Sequence, residues 1–195
     1  MRVVVNIMSF LFVLFIQAQS EHHLFNVIYQ DKLLGTLEAT KVTKGNVINY
    51  KSHTNIEYSF LINFSISYKY DVLYVDGILK DANAHITVRG KDKTKVRTIL
   101  EEGVYNFYSN EKLSKTIETD IKNSVIQLVF QEPVAVKTVY AEEHAEFHQM
   151  EKISEHAYKK KSHTGKESYY YYQQGILQKS EVDAGIIRFS IVRVD

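Results

Sequence analysis

The chain has 195 residues and no cysteine, and its 24 lysine and arginine side chains nearly balance 23 aspartate and glutamate side chains. This length suits one compact domain behind a short N-terminal segment. Without cysteine, disulfides, thiol catalysis, zinc–thiolate sites and iron–sulfur clusters are excluded. The balanced charge argues against nucleic acid as a partner, because phosphate contacts require an excess of basic side chains.

The first 20 residues have the pattern of a signal peptide. After a basic start, the run from Val3 to Ile16 is apolar at all but two positions, and the small residues Ala18 and Ser20 follow. Signal peptidase requires such residues at its cleavage site, so we expect cleavage before Glu21, or alternatively after Ala18. The run is too short for a retained membrane anchor. We therefore expect a periplasmic or secreted domain of residues 21–195 that has no membrane span.

The clearest periodic pattern lies between Ile56 and Tyr70. Every second residue is apolar or aromatic and the residues between are polar, except for Leu61. Alternation with a period of two predicts one half-buried strand with an aromatic face, and excludes a helix. At ~3.3 Å per residue such a strand would be roughly 50 Å long, so we expect it to be bent or bulged.

Shorter segments of similar composition fill the rest of the chain. Turn signals such as Asp76-Gly77, Thr164-Gly165 and Gln174-Gly175 separate them. This spacing predicts an all-β fold with a single antiparallel meander. We expect the meander to curve into a barrel, a half-barrel or a β-roll, because closure removes exposed strand edges.

Residues 141–157 also allow one short helix. The residues from Tyr140 to Ala157 are strong helix formers, and Phe147, Met150, Ile153 and Ala157 recur at helical spacing. An apolar residue at every third or fourth position is typical of a helix packed on one side.

His144, Glu146 and His148 are weak candidates for a metal site. On a helix the two histidines share a face, and on a strand all three residues do. The zinc-protease pattern requires glutamate directly after the first histidine, however, and Ala145 stands there. We therefore predict no catalytic residue, no metal site and no cofactor, and the sequence identifies no ligand-binding residue.

Two further runs have both a structural and a functional interpretation. The four tyrosines of 169–172 would alternate between the faces of a strand, where they either pack in the core or line a pocket for an apolar or carbohydrate ligand. The lysines of 159–161 lie near a predicted turn, where they either discourage edge-to-edge aggregation or contact an anionic lipid or polysaccharide.

Several loose motifs carry a family resemblance. They are Leu34-Gly35-Thr36, Gly77-Ile78-Leu79, residues 128–133 (LVFQEP), residues 139–142 (VYAE), Gly165 and residues 170–177 (YYYQQGIL). With these motifs, the chain resembles an uncharacterised family of exported proteins of roughly 200 residues from Bacteroidetes-type bacteria, described only as a domain of unknown function. The resemblance spans residues 24–194 and implies a curved antiparallel sheet in the cell envelope or outside the cell. It implies no catalytic residue.

Together these features favour a non-enzymatic binding or interaction domain. The predicted signal peptide, the balanced charge, and the 14 tyrosines and 10 phenylalanines suit a concave sheet that holds an apolar, lipid-like molecule. One alternative is a domain that presents an edge strand or a patch to another envelope protein. A second alternative is a metal-dependent envelope hydrolase that uses the region of His144 and His148.

Overall fold

The computed structural model describes residues 18–59, 63–183 and 188–194. Within these ranges the chain forms 14 strands and one 3-10 turn, Val125–Val129. The strands are β1 Gln19–Tyr29, β2 Lys32–Lys44, β3 Val47–Ser59, β4 Asn63–Val75, β5 Ile78–Val88, β6 Lys91–Glu101, β7 Val104–Ser109, β8 Lys112–Ile117, β9 Thr138–Ala141, β10 Glu146–Ser154, β11 Ala157–Lys161, β12 Glu167–Gln173, β13 Ile176–Asp183 and β14 Arg188–Arg193. No helix in these ranges is long and apolar enough to cross a membrane.

All of the strands belong to one antiparallel sheet. Its order is β8-β7-β6-β5-β4-β3-β2-β1-β14-β13-β12-β11-β10-β9. Two meanders, β1 to β8 and β9 to β14, are joined where β1 pairs with β14, with Phe25 opposite Arg193 and Ile28 opposite Ser190. The predicted all-β antiparallel meander is confirmed.

Tight turns that need left-handed backbone connect several strands. Asp76 and Gly77 have φ of 53° and 73°, and Gln174 and Gly175 have φ of 51° and 79°. Two consecutive residues with positive φ make the turn whose twist matches that of the flanking strands, and glycine adopts this conformation without strain. These turn signals in the sequence therefore mark true hairpins.

The prediction of one long strand from Ile56 to Tyr70 is wrong. The chain reverses within this segment, because β3 and β4 pair antiparallel with Ser59 opposite Asn63. Ile56 faces Ile66 across the pair, so the apolar residues of both strands point to the same face and the alternation runs through the reversal. The segment between the two strands, residues 60–62, contains no glycine, proline or asparagine to signal a turn, and it lies outside the described residues.

The short helix expected over 141–157 is also absent, because this segment contains the end of β9, all of β10 and the start of β11. His148 and Met150 are buried on one face of β10. Phe147 points to the other face and packs on Tyr140, with the ring centroids 5.6 Å apart. Apolar residues on both faces of one strand produced the spacing that resembled a helix.

The sheet is rolled but not closed, because β8 and β9 do not pair. Side chains join its two ends instead. The hydroxyl groups of Thr98 in β6 and Tyr140 in β9 are 2.7 Å apart in the buried interior. The Lys115 ammonium of β8 donates to the carbonyl oxygen of Ala145, at 2.7 Å. The fold is thus an open β-roll.

Residues 118–137, which we call the crossing segment, fill the inside of this roll. Backbone hydrogen bonds anchor the segment at Leu79 N to Ile121 O (2.9 Å), at Tyr140 N to Asn123 O (2.8 Å) and at Glu132 N to Gly175 O (3.2 Å). Its buried apolar side chains are Ile121, Ile126, Leu128 and Phe130. The concave face of the sheet therefore receives much of its cover from the chain itself.

Replacement of Phe130 by alanine tests this role of the crossing segment. The Phe130 ring lies 5.3 Å from the rings of both Tyr50 and His23 and is 6% exposed. Removing a buried phenylalanine costs about 3 to 5 kcal/mol through lost burial and the cavity left behind. We expect Phe130→Ala to lower the free energy of unfolding in urea by that amount.

Val134→Ala is the matched control. It lies in the same segment but is 70% exposed, so its free energy of unfolding should change by less than about 0.5 kcal/mol. If the two substitutions changed the free energy of unfolding equally, the crossing segment would not stabilise the fold through its buried side chains.

Candidate functional site in the interior of the roll

The turn between β9 and β10, residues 142–145, buries Glu142 and Ala145 but leaves the His144 side chain 55% exposed. It is tight, because the amides of His144 and Ala145 both donate to the carbonyl oxygen of Ala141, at 3.1 and 3.0 Å. It also reaches the inner face of β4, where the Tyr70 hydroxyl donates to Glu143 Oε2 at 2.9 Å. We call the covered polar residues around this turn the interior cluster: Tyr70, Glu142, Glu143, His148 and Lys160.

Glu142 connects the turn to the crossing segment. The residue is 2% exposed, and its carboxylate accepts a hydrogen bond from the amide of Ile126 at 3.1 Å, in the first half of the 3-10 turn. Burial raises the pKa of Glu142, and the hydrogen bonds that it accepts only partly oppose this shift. The hydrogen bond holds the turn and the crossing segment together.

The Glu143 carboxylate interacts with two side chains, those of Tyr70 and His144. Its Oε1 lies 3.1 Å from His144 Nε2, in addition to the bond from Tyr70. Burial would raise the pKa of Glu143, but His144 and Tyr70 stabilise the carboxylate and hold the pKa below its usual value. The same contact raises the pKa of His144, while burial raises that of Tyr70 and keeps its hydroxyl protonated.

The side chains beside this turn are not completely covered. Tyr70 and Glu143 lie deep within the protein, yet both keep accessible surface, and the Glu143 side chain is 29% exposed. Ile66 and Tyr68 continue the inner face of β4 and are also half-buried, whereas Ile86 on the adjacent strand is buried. β4 therefore forms an apolar wall that solvent can reach and that ends at the interior cluster.

Lys160 on β11 and His148 on β10 face the same side of the sheet, and neither forms a hydrogen bond or an ion pair within the described residues. Lys160 is half-buried on β11 and forms no ion pair within the described part of the chain. His148 is 5% exposed, and neither of its ring nitrogens has a hydrogen-bond partner. Burial, together with the charge of Lys160, lowers the pKa of His148 to about 4.

The structure separates the three metal candidates of the sequence. Glu146 and His148 share a face of β10, as the alternation predicts, but Glu146 contacts His163 at 3.2 Å, His144 contacts Glu143, and His148 is buried. Across the described ranges, no three histidine, cysteine, aspartate or glutamate side chains are grouped so that they could hold a metal ion.

The tyrosine and lysine runs alternate as strands do. Tyr170 and Tyr172 are buried, and the Tyr172 hydroxyl donates to the carbonyl oxygen of Leu128 at 2.7 Å, which supports the core interpretation. Lys159 and Lys161 point outward to acids, and Lys160 points inward. The sequence analysis did not single out Tyr70 or Glu143, and it treated Lys160 only as part of the lysine run. The period-two pattern of 158–160 was the available signal that Lys160 points inward.

A concavity of about 490 Å³ lies on the outer face across β2 to β6. Most of its basic side chains are paired with acids: Lys51 with Asp71 at 3.0 Å, His85 with Asp92 at 2.7 Å and Lys95 with Glu111 at 3.2 Å. Such pairing leaves little net charge, so this groove has no marked preference for a charged ligand.

The buried His148 should make stability depend on pH. Its pKa in the folded protein is about 4, below the ~6.5 of an unfolded histidine. The unfolded chain therefore binds more protons between these values, and stability is lost as the pH falls from 6.5 towards 4. Between about pH 7.5 and about pH 5 we expect a loss of about 2 kcal/mol from this residue, measured by urea unfolding.

His148→Gln should remove this part of the pH dependence, because glutamine does not titrate. His22→Gln, at an exposed position of β1, should leave it unchanged. An unaltered pH profile in the His148 variant would show that the imidazole is not buried and neutral in the folded protein.

Comparisons with known proteins agree with this fold. A solved structure titled as a beta-barrel-like protein of domain of unknown function DUF1849, from Brucella abortus, matches with a TM-score of 0.50 and 11% identity, covering 89% of this chain and 95% of that chain. At this identity the likeness shows the fold alone. No curated protein matches the sequence. The family model described as "Domain of unknown function (DUF6134)" matches residues 25–194, and the chain therefore belongs to this family of unknown function.

Proposed function

We propose that this domain is an exported, non-enzymatic binding protein of the bacterial cell envelope. It holds the apolar part of a lipid-like molecule along the inner face of β4, beside the β9–β10 turn. The observation that carries this proposal is the inner wall of β4, where Ile66, Tyr68 and Tyr70 are only half-buried although they face the interior. Solvent-accessible apolar surface in a concavity is typical of ligand sites.

Export rests on the N-terminal sequence and on the resemblance to exported proteins of Bacteroidetes-type bacteria. Residues 1–17 lie outside the described residues. β1 begins at Gln19, with Ser20 opposite Val42, so cleavage after Ala18 would keep β1 whole and cleavage before Glu21 would shorten it by two residues. Either product keeps the pairing of β1 with β2 from Glu21 onward, so either one is compatible with a folded domain.

The hydrolase alternative has less support. It requires His144 and His148 to act together, but His144 forms an ion pair with Glu143 and His148 is buried without a partner. A catalytic pair needs its groups within hydrogen-bond reach of each other or of a common substrate atom. The present contacts of the two histidines do not bring them together.

A second candidate function is interaction with another envelope protein through β8. This strand ends the sheet, and five of its six residues are exposed. The opposite edge strand, β9, is covered by the crossing segment through the bond from Tyr140 to Asn123. An open strand edge can accept an added strand from a partner.

Binding of oleate by the full chain, purified after export and stripped of lipid, tests the proposed function. Ile66→Asn should weaken binding about tenfold, because roughly half of an isoleucine's burial free energy is lost. Titration calorimetry measures the affinity. Ser67→Ala, on the outer face of the same strand, is the matched control and should bind like the unmodified protein.

Absence of binding would overturn the proposal. If the stripped protein binds neither oleate nor the uncharged oleyl alcohol, the inner face of β4 is not a site for apolar chains. Equal weakening by Ile66→Asn and Ser67→Ala would also contradict it, because binding would then not depend on the inner face of β4.

A further inference from the structure

The outer face of the sheet has a smaller concavity beside the one described above. It has a volume of about 420 Å³ and lies across β6 and β7. Asn83 and Lys95 border both concavities, so we call the two together the outer groove. The groove crosses six neighbouring strands, β2 to β7, and at ~4.8 Å per strand spacing its length is roughly 24 Å. It is therefore large enough for a chain-like ligand.

The polar side chains of the smaller concavity hold one another in place. Arg97 donates from Nε to Asp81 Oδ1 at 3.1 Å and from Nη2 to Asp81 Oδ2 at 2.5 Å. Asn83 donates to the same carboxylate at 2.9 Å, and Lys95 donates to Glu111 at 3.2 Å. Groups that are oriented before a ligand arrives lose less conformational freedom when the ligand binds.

Arg97 and Asn83 still have hydrogen-bonding capacity for a ligand. Arginine has five N–H groups, and only two of those on Arg97 are engaged within the described residues. The Asn83 side chain donates one hydrogen bond there, which leaves one N–H and the carbonyl oxygen. The two residues are exposed and directly opposite each other in the strand register, so they offer donors and an acceptor side by side.

The charges that line the smaller concavity balance. Lys95 and Arg97 are its cations, and Glu101 and Glu111 are its carboxylates. Each cation already contacts an acid, Lys95 at Glu111 and Arg97 at Asp81, so an anionic ligand would have to compete with these acids. An uncharged polar ligand can bind without breaking either ion pair.

Tyr108 gives the concavity an aromatic surface. It stands opposite Arg97 in the strand register, and with Ile99 it forms the half-buried apolar part of the lining. An aromatic ring beside polar groups suits a ligand that is apolar on one face and polar around its rim. A sugar ring has this character, because its faces carry C–H groups and its rim carries hydroxyl groups that both donate and accept.

We propose that the outer groove binds an uncharged oligosaccharide, with one sugar ring on Tyr108 and its hydroxyl groups bonded to Arg97 and Asn83. The rest of the glycan extends towards β2 through the larger concavity, where basic side chains are likewise paired with acids. This site is independent of the proposed lipid site, because Ile66 and Tyr68 lie on the inner face of the sheet.

The first test is a titration with three uncharged hexasaccharides: cellohexaose, maltohexaose and chitohexaose. Each is added to the full exported chain labelled with ¹⁵N, and binding is followed by NMR. At least one of them should bind and shift the amide signals of Asn83, Arg97 and Tyr108. Dextran sulfate, an anionic polysaccharide, should bind these residues more weakly than that hexasaccharide does.

Substitutions within the groove test the two parts of the site. Tyr108→Ala should weaken binding of the hexasaccharide about tenfold, because the stacking surface is lost. Asn83→Ala should weaken it about fivefold, through the loss of a hydrogen-bonding partner. Tyr171→Ala and Asn55→Ala are the matched controls, because they remove the same side chains from outward positions that line neither concavity.

The outcomes decide for or against the glycan site. Urea unfolding checks that each variant is folded, and Asn83→Ala, at an exposed position, keeps the test valid if Tyr108→Ala is unstable. If none of the three hexasaccharides binds, or if binding is the same in both groove variants as in the controls, the proposal is overturned. Tighter binding of dextran sulfate at these residues would make the groove an anion site and contradict it as well.

Discussion

The two edge strands of the fourteen-stranded sheet, β8 and β9, do not pair through their backbones, so the roll depends on what fills its concave face. The crossing segment does this by bonding to β5 through Ile121, to β9 through Asn123 and to the β12–β13 turn through Glu132. Its buried side chains supply the apolar surface that a closed barrel would obtain from its own opposite wall. The segment also covers the backbone edge of β9, and its Ile126 amide donates a hydrogen bond to Glu142. It therefore fixes the position of the β9–β10 turn, where the candidate site lies.

The local pattern of the sequence was sufficient to predict most strands and many of the turns. Alternation of polar and apolar residues, together with pairs such as Asp76-Gly77, predicted the antiparallel meander, because both signals arise from neighbours along the chain. The reversal between β3 and β4 was missed for the same reason. Ile56 before the reversal and Ile66 after it point to the same face of the sheet, so the alternation does not show where the chain changes direction.

The interior cluster lay beyond such local reasoning. Tyr70 and Glu143 are 73 residues apart in sequence, and only the rolling of the sheet brings them together. Spacing within HAEFH favoured His144, Glu146 and His148 because they are chain neighbours, yet their partners are other residues. Lys160 is the exception, because the alternation of β11 could have shown that it points inward. The alternation of side chains between the two faces of a strand, taken together with their charge, is therefore more informative here than the spacing of residues in a motif.

Amide hydrogen exchange at Leu79 and Tyr140 tests the central claim most directly. Both amides donate to the crossing segment, to Ile121 O and Asn123 O, whereas Val72 lies in the middle of the sheet. If the crossing segment is part of the cooperative core, all three amides should exchange only through global unfolding and at similar rates. Exchange of Leu79 and Tyr140 that is orders of magnitude faster than that of Val72 would mean that the segment detaches while the sheet persists, which contradicts this account.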